Sequence, residues 1–145
     1  SFYEPSAPSP SFTLEQAIIY KCDEINTACE NAIVEGFDFN DKHYSLTLND
    51  QSNIISLTPL AIAGNDVPYH ADNEECRLYS ATEFMSIVNA ATFHKTHNTT
   101  YCNLLKLMIC GMPCLEDVYA VKYGVTELST EYKERYDEIM ASISA

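Results

Sequence analysis

Apolar residues recur at steps of three and four along two long stretches of the chain, which is the spacing of one face of an α-helix. The first stretch follows a capping box at Thr13–Gln16 and stops before Gly36, so the pattern predicts a helix over residues 14–35. Its apolar face consists of Leu14, Ala17, Ile18, Cys22, Ile25, Cys29, Ala32 and Ile33. The second stretch follows a capping box at Ser80–Glu83 and continues to Gly111, which predicts the longest helix.

Two shorter helices are predicted where a cap precedes apolar residues. Thr47 and Asp50 supply a hydroxyl cap and an acidic third position before a helix that ends at Gly64. Pro59 should kink or split this helix, because proline lacks the donor N–H and crowds the preceding turn. Its apolar residues are Ile54, Ile55, Leu57 and Leu60. Ser129 caps a final helix, whose apolar residues are Tyr136, Ile139, Met140 and Ile143.

Alternating apolar and polar residues on both sides of two turn signals predict two short β-hairpins. Phe37 and Phe39 precede the turn residues Asn40–Asp41, and Tyr44 and Leu46 follow them. The segments Val67–Tyr69 and Cys76–Tyr79 flank a second turn signal at Asp72–Asn73. The pattern therefore predicts an α+β fold, dominated by helices, in which two short β-hairpins pack on amphipathic helices.

The first eleven residues differ in composition from the rest of the chain. Residues 1–11 hold three prolines and four serines, which cannot bury enough surface to pack and so predict an extended arm. Residues 12–145 have the length and ordinary apolar content of a single globular domain.

The charge of the chain narrows the classes of partner. With 8 Lys plus Arg against 21 Asp plus Glu, the net charge is −13, so no basic stripe is present to bind phosphates. We expect no direct nucleic-acid binding, although an acidic chain of this kind can mimic a nucleic acid and block a basic protein. No run approaches eighteen apolar residues and the first residues lack the character of a signal peptide, so we expect a soluble domain with no membrane partner.

Cysteine and histidine side chains are the candidates for chemistry. Cys22 and Cys29 lie seven residues apart on one helical face, too far for a bridge between them, and we interpret the six cysteines as buried reduced thiols. His94 and His97 lie three apart, within reach of one metal ion, but no Cys-x-x-Cys pair completes a ligand set. The alternative places His94 at the edge of the core and His97 in solvent. We predict no catalytic residue and no cofactor, and leave a metal at the two histidines open.

Ten tyrosines against no tryptophan suggest an interaction surface, because tyrosine buries area while its hydroxyl stays hydrogen-bonded. The predicted interface residues are Phe2, Tyr3, Tyr69, Arg77, Tyr79 and Tyr101. The alternative is that most tyrosines cover the edges of a thin core.

Several short segments follow one another within residues 13–140: Gly36–Phe39, Tyr44–Thr47, Asp50–Ile54, Val67–Asp72, Cys76–Ser80 and Tyr101–Leu105. Together they resemble a phage domain of unknown function. That family is found in tailed bacteriophages and prophages, often among tail genes, and is sometimes fused to tail-fibre assembly proteins. None of the matching segments is a catalytic motif.

The resemblance implies a non-enzymatic protein of the phage tail region, located in the virion or, during assembly, in the host cytoplasm. Such a protein is a structural or adaptor module of the tail tip or baseplate, or a tail-fibre assembly factor. Its partners are other tail or virion proteins, and because virion parts are symmetric we expect a homo-oligomer or docking onto a symmetric assembly, with the arm of residues 1–11 against a neighbour. The alternative function is a phage-encoded acidic inhibitor that mimics nucleic acid and blocks a host defence protein.

Overall fold

The computed structural model describes residues 12–144, and within them five helices and two antiparallel hairpins follow one another. The elements are α1 Leu14–Glu35, β1 Phe37–Phe39, β2 Lys42–Tyr44, α2 Leu48–Ile62, β3 Val67–Tyr69, β4 Arg77–Tyr79, α3 Ala81–Cys110, α4 Leu115–Tyr119 and α5 Thr130–Ser144. This confirms the predicted helix-dominated α+β class. The arm of residues 1–11 lies outside the described residues, and the domain boundary at residue 12 stays a prediction.

The chain forms two compact units. The first contains residues 12–30 and 98–144 of the described chain, and the second contains residues 31–97. The first unit therefore holds most of α1, the end of α3, α4 and α5. The second holds the end of α1, both hairpins, α2 and the first half of α3.

Side-chain caps begin helices α1 and α2 where the sequence predicts them. The Thr13 backbone N–H donates to Gln16 Oε1 at 3.0 Å, and the Gln16 N–H donates back to Thr13 Oγ1 at 3.1 Å. The same reciprocal bonds join Thr47 and Asp50 at the start of α2. These contacts satisfy donors that the first turn of a helix leaves without partners, so each helix begins at a fixed residue.

Helix α2 runs unbroken through Pro59, so the predicted split does not occur. Pro59 cannot donate to the carbonyl of Ile55, but Ile55 is exposed and water can reach that carbonyl. One residue earlier, the Thr58 hydroxyl donates to the Ile54 carbonyl at 2.7 Å. The helix therefore tolerates the loss of one backbone hydrogen bond on its solvent-exposed side.

Both hairpins form at the predicted turns. Asn40 and Asp41 have φ values of 50° and 63°, the left-handed pair that a tight two-residue hairpin requires, and Phe37 lies opposite Tyr44. In the second hairpin Val67 lies opposite Tyr79. The two hairpins, α2 and α3 enclose the core of the second unit, which consists of Tyr44, Leu46, Ile54, Ala61, Val67, Tyr69, Ala71, Tyr79, Phe84, Ile87 and Ala91.

The first unit buries a charged residue that its apolar pattern did not predict. Lys21 lies on the packed face of α1 and donates to the Glu24 carboxylate and to the Val121 carbonyl, both at 3.0 Å. Asn98 is also buried, and its side-chain oxygen accepts a hydrogen bond from the Tyr123 hydroxyl at 2.7 Å. Lys21 and Asn98 therefore both have partners that offset their desolvation, whereas the second Glu24 oxygen, Oε1, and the Tyr119 hydroxyl are buried without a hydrogen-bond partner.

Candidate functional site

An exposed apolar line runs the length of helix α2. Leu48, Ile55 and Ile62 are 79%, 72% and 72% exposed, and each is seven residues from the next. Seven residues make close to two helical turns, so the three side chains project in nearly the same direction. We call these three residues the α2 stripe. It places three large aliphatic side chains in water on one short helix, which differs from the scattered single exposure that is common on protein surfaces.

Packing inside the second unit fixes this orientation of α2. Ile54 and Ala61 are buried in the core, and they too are seven residues apart. Because neighbouring helix positions are turned by about 100° from each other, burying Ile54 turns Ile55 out of the core. The α2 stripe is therefore exposed because the core buries Ile54 and not Ile55.

An open groove borders the stripe between α2 and α3. It has a volume of about 190 Å³, and its floor and walls are mostly apolar. The lining residues are Leu46, Gln51, Ile54, Ile55, Val88, Ala91, Thr92, Lys95 and Thr96. An apolar cavity of about 150 Å³ accommodates a benzene ring in another protein. The groove is therefore large enough for one aliphatic or aromatic side chain of a partner.

Helix α2 carries little charge around the stripe, although Lys95 of α3 lines the groove and donates to Gln51 Oε1. Residues 51–65 contain no Asp, Glu, Lys or Arg, although a fifth of the whole chain is charged and the net charge is −13. The single charged residue of α2 is Asp50, and its carboxylate accepts hydrogen bonds from the Thr47 backbone N–H and hydroxyl. An approaching apolar partner therefore desolvates few charged groups on α2, but it meets the Lys95 ammonium at the groove.

The tyrosines predicted to form an interface do not form one surface. Tyr69 and Tyr79 are 5% and 1% exposed and pack in the core, so in this fold they do not face a partner, and the prediction is wrong for both. Burial raises the pKa of Tyr69 to about 12. Tyr101 is half-buried, and its hydroxyl donates to the Thr126 carbonyl. Phe2 and Tyr3 lie outside the described residues.

Arg77 remains at the surface, but it is held by its own neighbours. Its guanidinium lies 3.7 Å from the centre of the Tyr79 ring and donates two hydrogen bonds to Glu83, at 3.2 and 2.8 Å. Glu83 therefore forms only half of the predicted capping box: its backbone N–H donates to the Ser80 hydroxyl, while its carboxylate binds Arg77. A role for Arg77 in an interface stays a prediction.

The two histidines of α3 have structural contacts. His94 Nε2 lies 2.9 Å from the carbonyl of Ala32, at the end of α1, and its ring lies 6.1 Å from that of Phe37. His97 is half-buried and not in open solvent as the alternative interpretation had it, and burial, together with the nearby His94, lowers its pKa. Within residues 12–144 no three His, Cys, Asp or Glu side chains converge in a way that could hold a metal ion.

A serine, an aspartate and a histidine also meet between the hairpins, but their bonds do not form a nucleophile–base pair. The Ser45 hydroxyl and N–H both donate to Asp72, and the Asp72 N–H donates to the His43 carbonyl at 2.9 Å. Burial opposes ionisation of Asp72, but the hydrogen bonds from Ser45 outweigh it and lower the pKa of this carboxyl. The His43 ring binds Asp38 and the Glu35 carbonyl instead. These contacts tie one hairpin to the other.

The six cysteines are free thiols in different surroundings. Cys29 and Cys102 are buried and Cys22 is partly buried, but Cys76, Cys110 and Cys114 are exposed, so the prediction that all six are buried is wrong for these three. Cys76 immediately precedes β4, Cys110 is the last residue of α3 and Cys114 immediately precedes α4, where no core covers them. Burial raises the pKa of Cys102 to about 11, which keeps this thiol protonated and weakly nucleophilic.

The α2 stripe was missed at the sequence level, although two signals for it are present. The aliphatic residues Leu48, Ile55 and Ile62 repeat at seven-residue intervals, and the uncharged segment 51–65 is the longest in an acidic chain. Periodicity alone could not separate this stripe from the buried one, because Ile54 and Ile55 are equally apolar.

Comparison with known proteins gives a family. The model of a family described as a domain of unknown function (DUF4376) matches residues 16–125, which is 110 of the 145 residues. No curated protein and no solved structure matches the chain. Within residues 12–144 no helix combines the length and the apolar character needed to cross a membrane. Since the match spans both hairpins, α2 and α3, the chain belongs to this family, DUF4376, a domain of unknown function.

Proposed function

We propose that this protein is a non-enzymatic module of the bacteriophage tail region that works by binding other proteins. It serves as a structural or adaptor part of the tail tip or baseplate, or as a tail-fibre assembly factor. The phage context comes from the resemblance of its segments to a domain found among tail genes. The class of function, protein binding, comes from the surface of α2.

The observation that carries the proposal is the α2 stripe with the groove beside it. Full burial of an aliphatic side chain of this size contributes about 1.5–3 kcal/mol, so three such residues supply a substantial gross gain when a partner covers them. Association and ordering costs reduce that gain, and the low charge of segment 51–65 keeps the desolvation part of the cost small. A protein helix or loop with an apolar edge fits this surface best.

The arrangement of carboxylates gives less support to the alternative, a nucleic-acid mimic. A mimic needs free carboxylates in rows at phosphate-like spacing, but many acids of this chain are engaged within the fold. Within residues 12–144 the acids in ion pairs with Lys or Arg are Glu24, Glu74, Glu83, Glu131 and Asp137. Asp50 and Asp72 accept hydrogen bonds from a helix cap and from Ser45.

Mass spectrometry of purified virions and of complexes from infected cells tests the proposal. We expect the chain in the virion, or in a complex with a tail or fibre protein of the same phage. The variant Ile55→Glu should lose that association, whereas Ile19→Glu, which changes a similarly exposed isoleucine on α1, should retain it. Absence from virions together with absence from every tail-protein complex would contradict the proposal, as would an unaffected Ile55→Glu variant.

A further inference from the structure

We infer that Cys22 and Cys110 are a redox-sensitive pair, which forms a disulfide that ties α1 to α3 when the chain meets a low-molecular-weight disulfide such as glutathione disulfide. Both residues belong to the first unit, whereas the α2 stripe belongs to the second. The inference therefore goes beyond the proposed function and does not depend on it.

Polar contacts between α1 and α3 set the two helices in register. Asn26 of α1 accepts hydrogen bonds from the Lys106 ammonium at 2.8 Å and from the Cys102 thiol at 3.6 Å. Further along α1, the Cys29 thiol donates to the Asn98 carbonyl at 3.4 Å. Residue numbers rise along α1 while those of their partners fall along α3, so the two helices run antiparallel in this region.

This register places Cys22 and Cys110 opposite each other. Cys22 is four residues before Asn26, and Cys110 is four residues after Lys106, the partner of Asn26. Four residues make close to one helical turn, or about 6 Å along the axis, so both cysteines stay on the facing sides of their helices and at the same level. Burial, followed by the charge and the hydrogen bond of the neighbouring Cys110 thiol, raises the pKa of Cys22. The two sulfurs therefore lie close enough to influence each other.

A second thiol pair lies further along the same two helices and differs in its access to solvent. Cys29 and Cys102 are only 5% and 6% exposed. Burial, followed by the neighbouring Cys29 thiol, raises the pKa of Cys102. A solute reaches neither sulfur without local opening of the fold, so this pair is an internal control for the first one.

The position of Cys110 makes it the residue that an oxidant meets first. Cys110 is exposed at the last residue of α3, whereas Cys22 is partly buried, and both are free thiols in the structure. A disulfide needs a Cα separation of about 4.4–6.8 Å. Because the end of a helix opens more easily than its interior, Cys110 can adjust to that separation while Cys22 stays in place.

The bond forms through two thiol–disulfide exchanges. The Cys110 thiolate attacks one sulfur of glutathione disulfide, whose S–S bond breaks and releases one glutathione thiolate. The Cys22 thiolate then attacks the Cys110 sulfur of this mixed disulfide, which forms the Cys22–Cys110 bond and releases the second glutathione thiolate. The two cysteines lose two protons and two electrons, which the glutathione molecules gain as they become thiols. The Lys106 ammonium acts against burial on the pKa of Cys22 and so favours the thiolate that the second step needs.

Peptide mapping of the full chain without reducing agent tests the inference. The reduced protein is incubated with glutathione disulfide, quenched with N-ethylmaleimide and digested, and linked peptides are identified by mass spectrometry. We expect the Cys22–Cys110 bond to form at least about tenfold faster than any Cys29–Cys102 bond, because exchange needs an accessible sulfur. The absence of a Cys22–Cys110 bond, or a Cys29–Cys102 bond that forms equally fast, would overturn the inference.

Serine variants separate the pair from thiols that are merely exposed. Cys22→Ser should stop the reaction at the mixed disulfide, so that glutathione accumulates on Cys110. Cys114→Ser is the matched control, since it removes another exposed thiol and should form the Cys22–Cys110 bond like the wild type. Glutathione that accumulates on Cys110 of the wild type, or a Cys110–Cys114 bond in place of the expected one, would show that Cys22 is not the partner. Circular dichroism should show the same helix content in all of these proteins.

The melting temperature reports whether the bond ties the two helices together. The disulfide closes a loop over residues 23–109, which restricts the unfolded chain, so oxidation should raise the melting temperature of the wild type by roughly 5–15 °C. The same treatment should leave Cys22→Ser unchanged. An oxidised wild type that melts with the reduced protein would overturn the disulfide as a tie between α1 and α3.

Discussion

Gly36 and Gly64 share a left-handed backbone, with φ values of 89° and 85°, but only Gly36 meets another part of the chain. A Cβ atom at Gly36 would lie too close to the Tyr44 carbonyl oxygen and to Ser45, whereas nothing lies within 4 Å of a Cβ at Gly64. Gly36 therefore allows the end of α1 to pass the end of strand β2. At this scale, one missing methyl group decides whether the first hairpin can follow the helix.

We expect Gly64→Ala to lower the free energy of unfolding by about 1–2 kcal/mol, the cost of a left-handed alanine. Gly36→Ala carries the same cost and must also displace the Tyr44 peptide, so its loss should exceed about 3 kcal/mol. Urea unfolding of the two variants beside the wild type measures the difference. Equal losses would show that the close approach at Gly36 has no energetic consequence.

His43 has two acceptors for its two ring nitrogens. Nδ1 lies 2.7 Å from the Asp38 carboxylate, and Nε2 faces the Glu35 carbonyl, so both partners favour the doubly protonated ring. The bond to Asp38, followed by the bond to Glu35, raises the pKa of His43 above its ordinary value of 6.5. The resulting stabilisation is present below pH 6.5, the range in which the unfolded chain also binds this proton, and is lost as the pH rises through the folded pKa.

We therefore expect an NMR titration to place the pKa of His43 above 6.5 and to show a lower pKa in Asp38→Asn. Between about pH 6 and pH 8 the melting temperature of the wild type should fall more than that of Asp38→Asn. His97 contributes in the opposite sense, because its lowered pKa favours the folded state as the pH rises, and the difference between the two proteins removes that contribution. Identical pH profiles would rule out the His43–Asp38 contact as a source of stability.

At the scale of elements, α1 depends on a buried lysine as well as on its apolar stripe. Lys21 is buried and binds both Glu24 on its own helix and the Val121 carbonyl, which follows α4. Removing this side chain leaves the Val121 carbonyl without its donor and Glu24 without its cation. Because the Glu24 side chain is about a third exposed, water replaces part of the loss.

We expect Lys21→Ala to lower the free energy of unfolding by about 2 kcal/mol, through the lost hydrogen bonds and the lost packing of the lysine stem. Lys21→Met should lose less, because it keeps the stem. Lys122→Ala is the control, since Lys122 is exposed, and should change the stability by less than about 0.5 kcal/mol. A Lys21→Ala variant as stable as the control would mean that the buried ammonium contributes nothing.

The ends of elements could be predicted more completely than their surroundings. The capping boxes at Thr13 and Thr47 and the Asn40–Asp41 turn involve neighbours in sequence, so their geometry follows from local chemistry. Pro59 does not split α2 as its local chemistry predicts, because a solvent-exposed helix face tolerates one lost backbone hydrogen bond. The Arg77–Glu83 pair also could not be predicted, since it needs the position of β4 beside the start of α3.

At the scale of the whole molecule, net charge and the α2 stripe act against each other. A charge of −13 repels other acidic proteins, whereas the stripe favours contact with an apolar surface of a partner, and that contact does not depend on salt. Lower ionic strength lengthens the range of the repulsion, from about 8 Å at 0.15 M salt to about 30 Å at 0.01 M. Repulsion from an acidic partner is therefore strongest at low salt.

The sequence by itself determined the fold class, the position of every predicted helix and hairpin, and the acidity of the surface. These follow from local sequence patterns and from composition, which do not depend on which distant segments pack together. The candidate site was not determined in this way. Tyr69 and Tyr79 are of a residue type that is common in interfaces, but both are buried in the core. Ile55 is of a residue type that is common in cores, but it is exposed.

Only the tertiary structure decided between these roles, because burial depends on which face of an element its neighbours cover. The second unit closes its core with Ile54 and Ala61 of α2 and with the two tyrosines of its second hairpin. That choice leaves the stripe of Leu48, Ile55 and Ile62 in water. A pattern of apolar residues states how much surface a helix can bury, but packing against distant segments decides which part remains available to a partner.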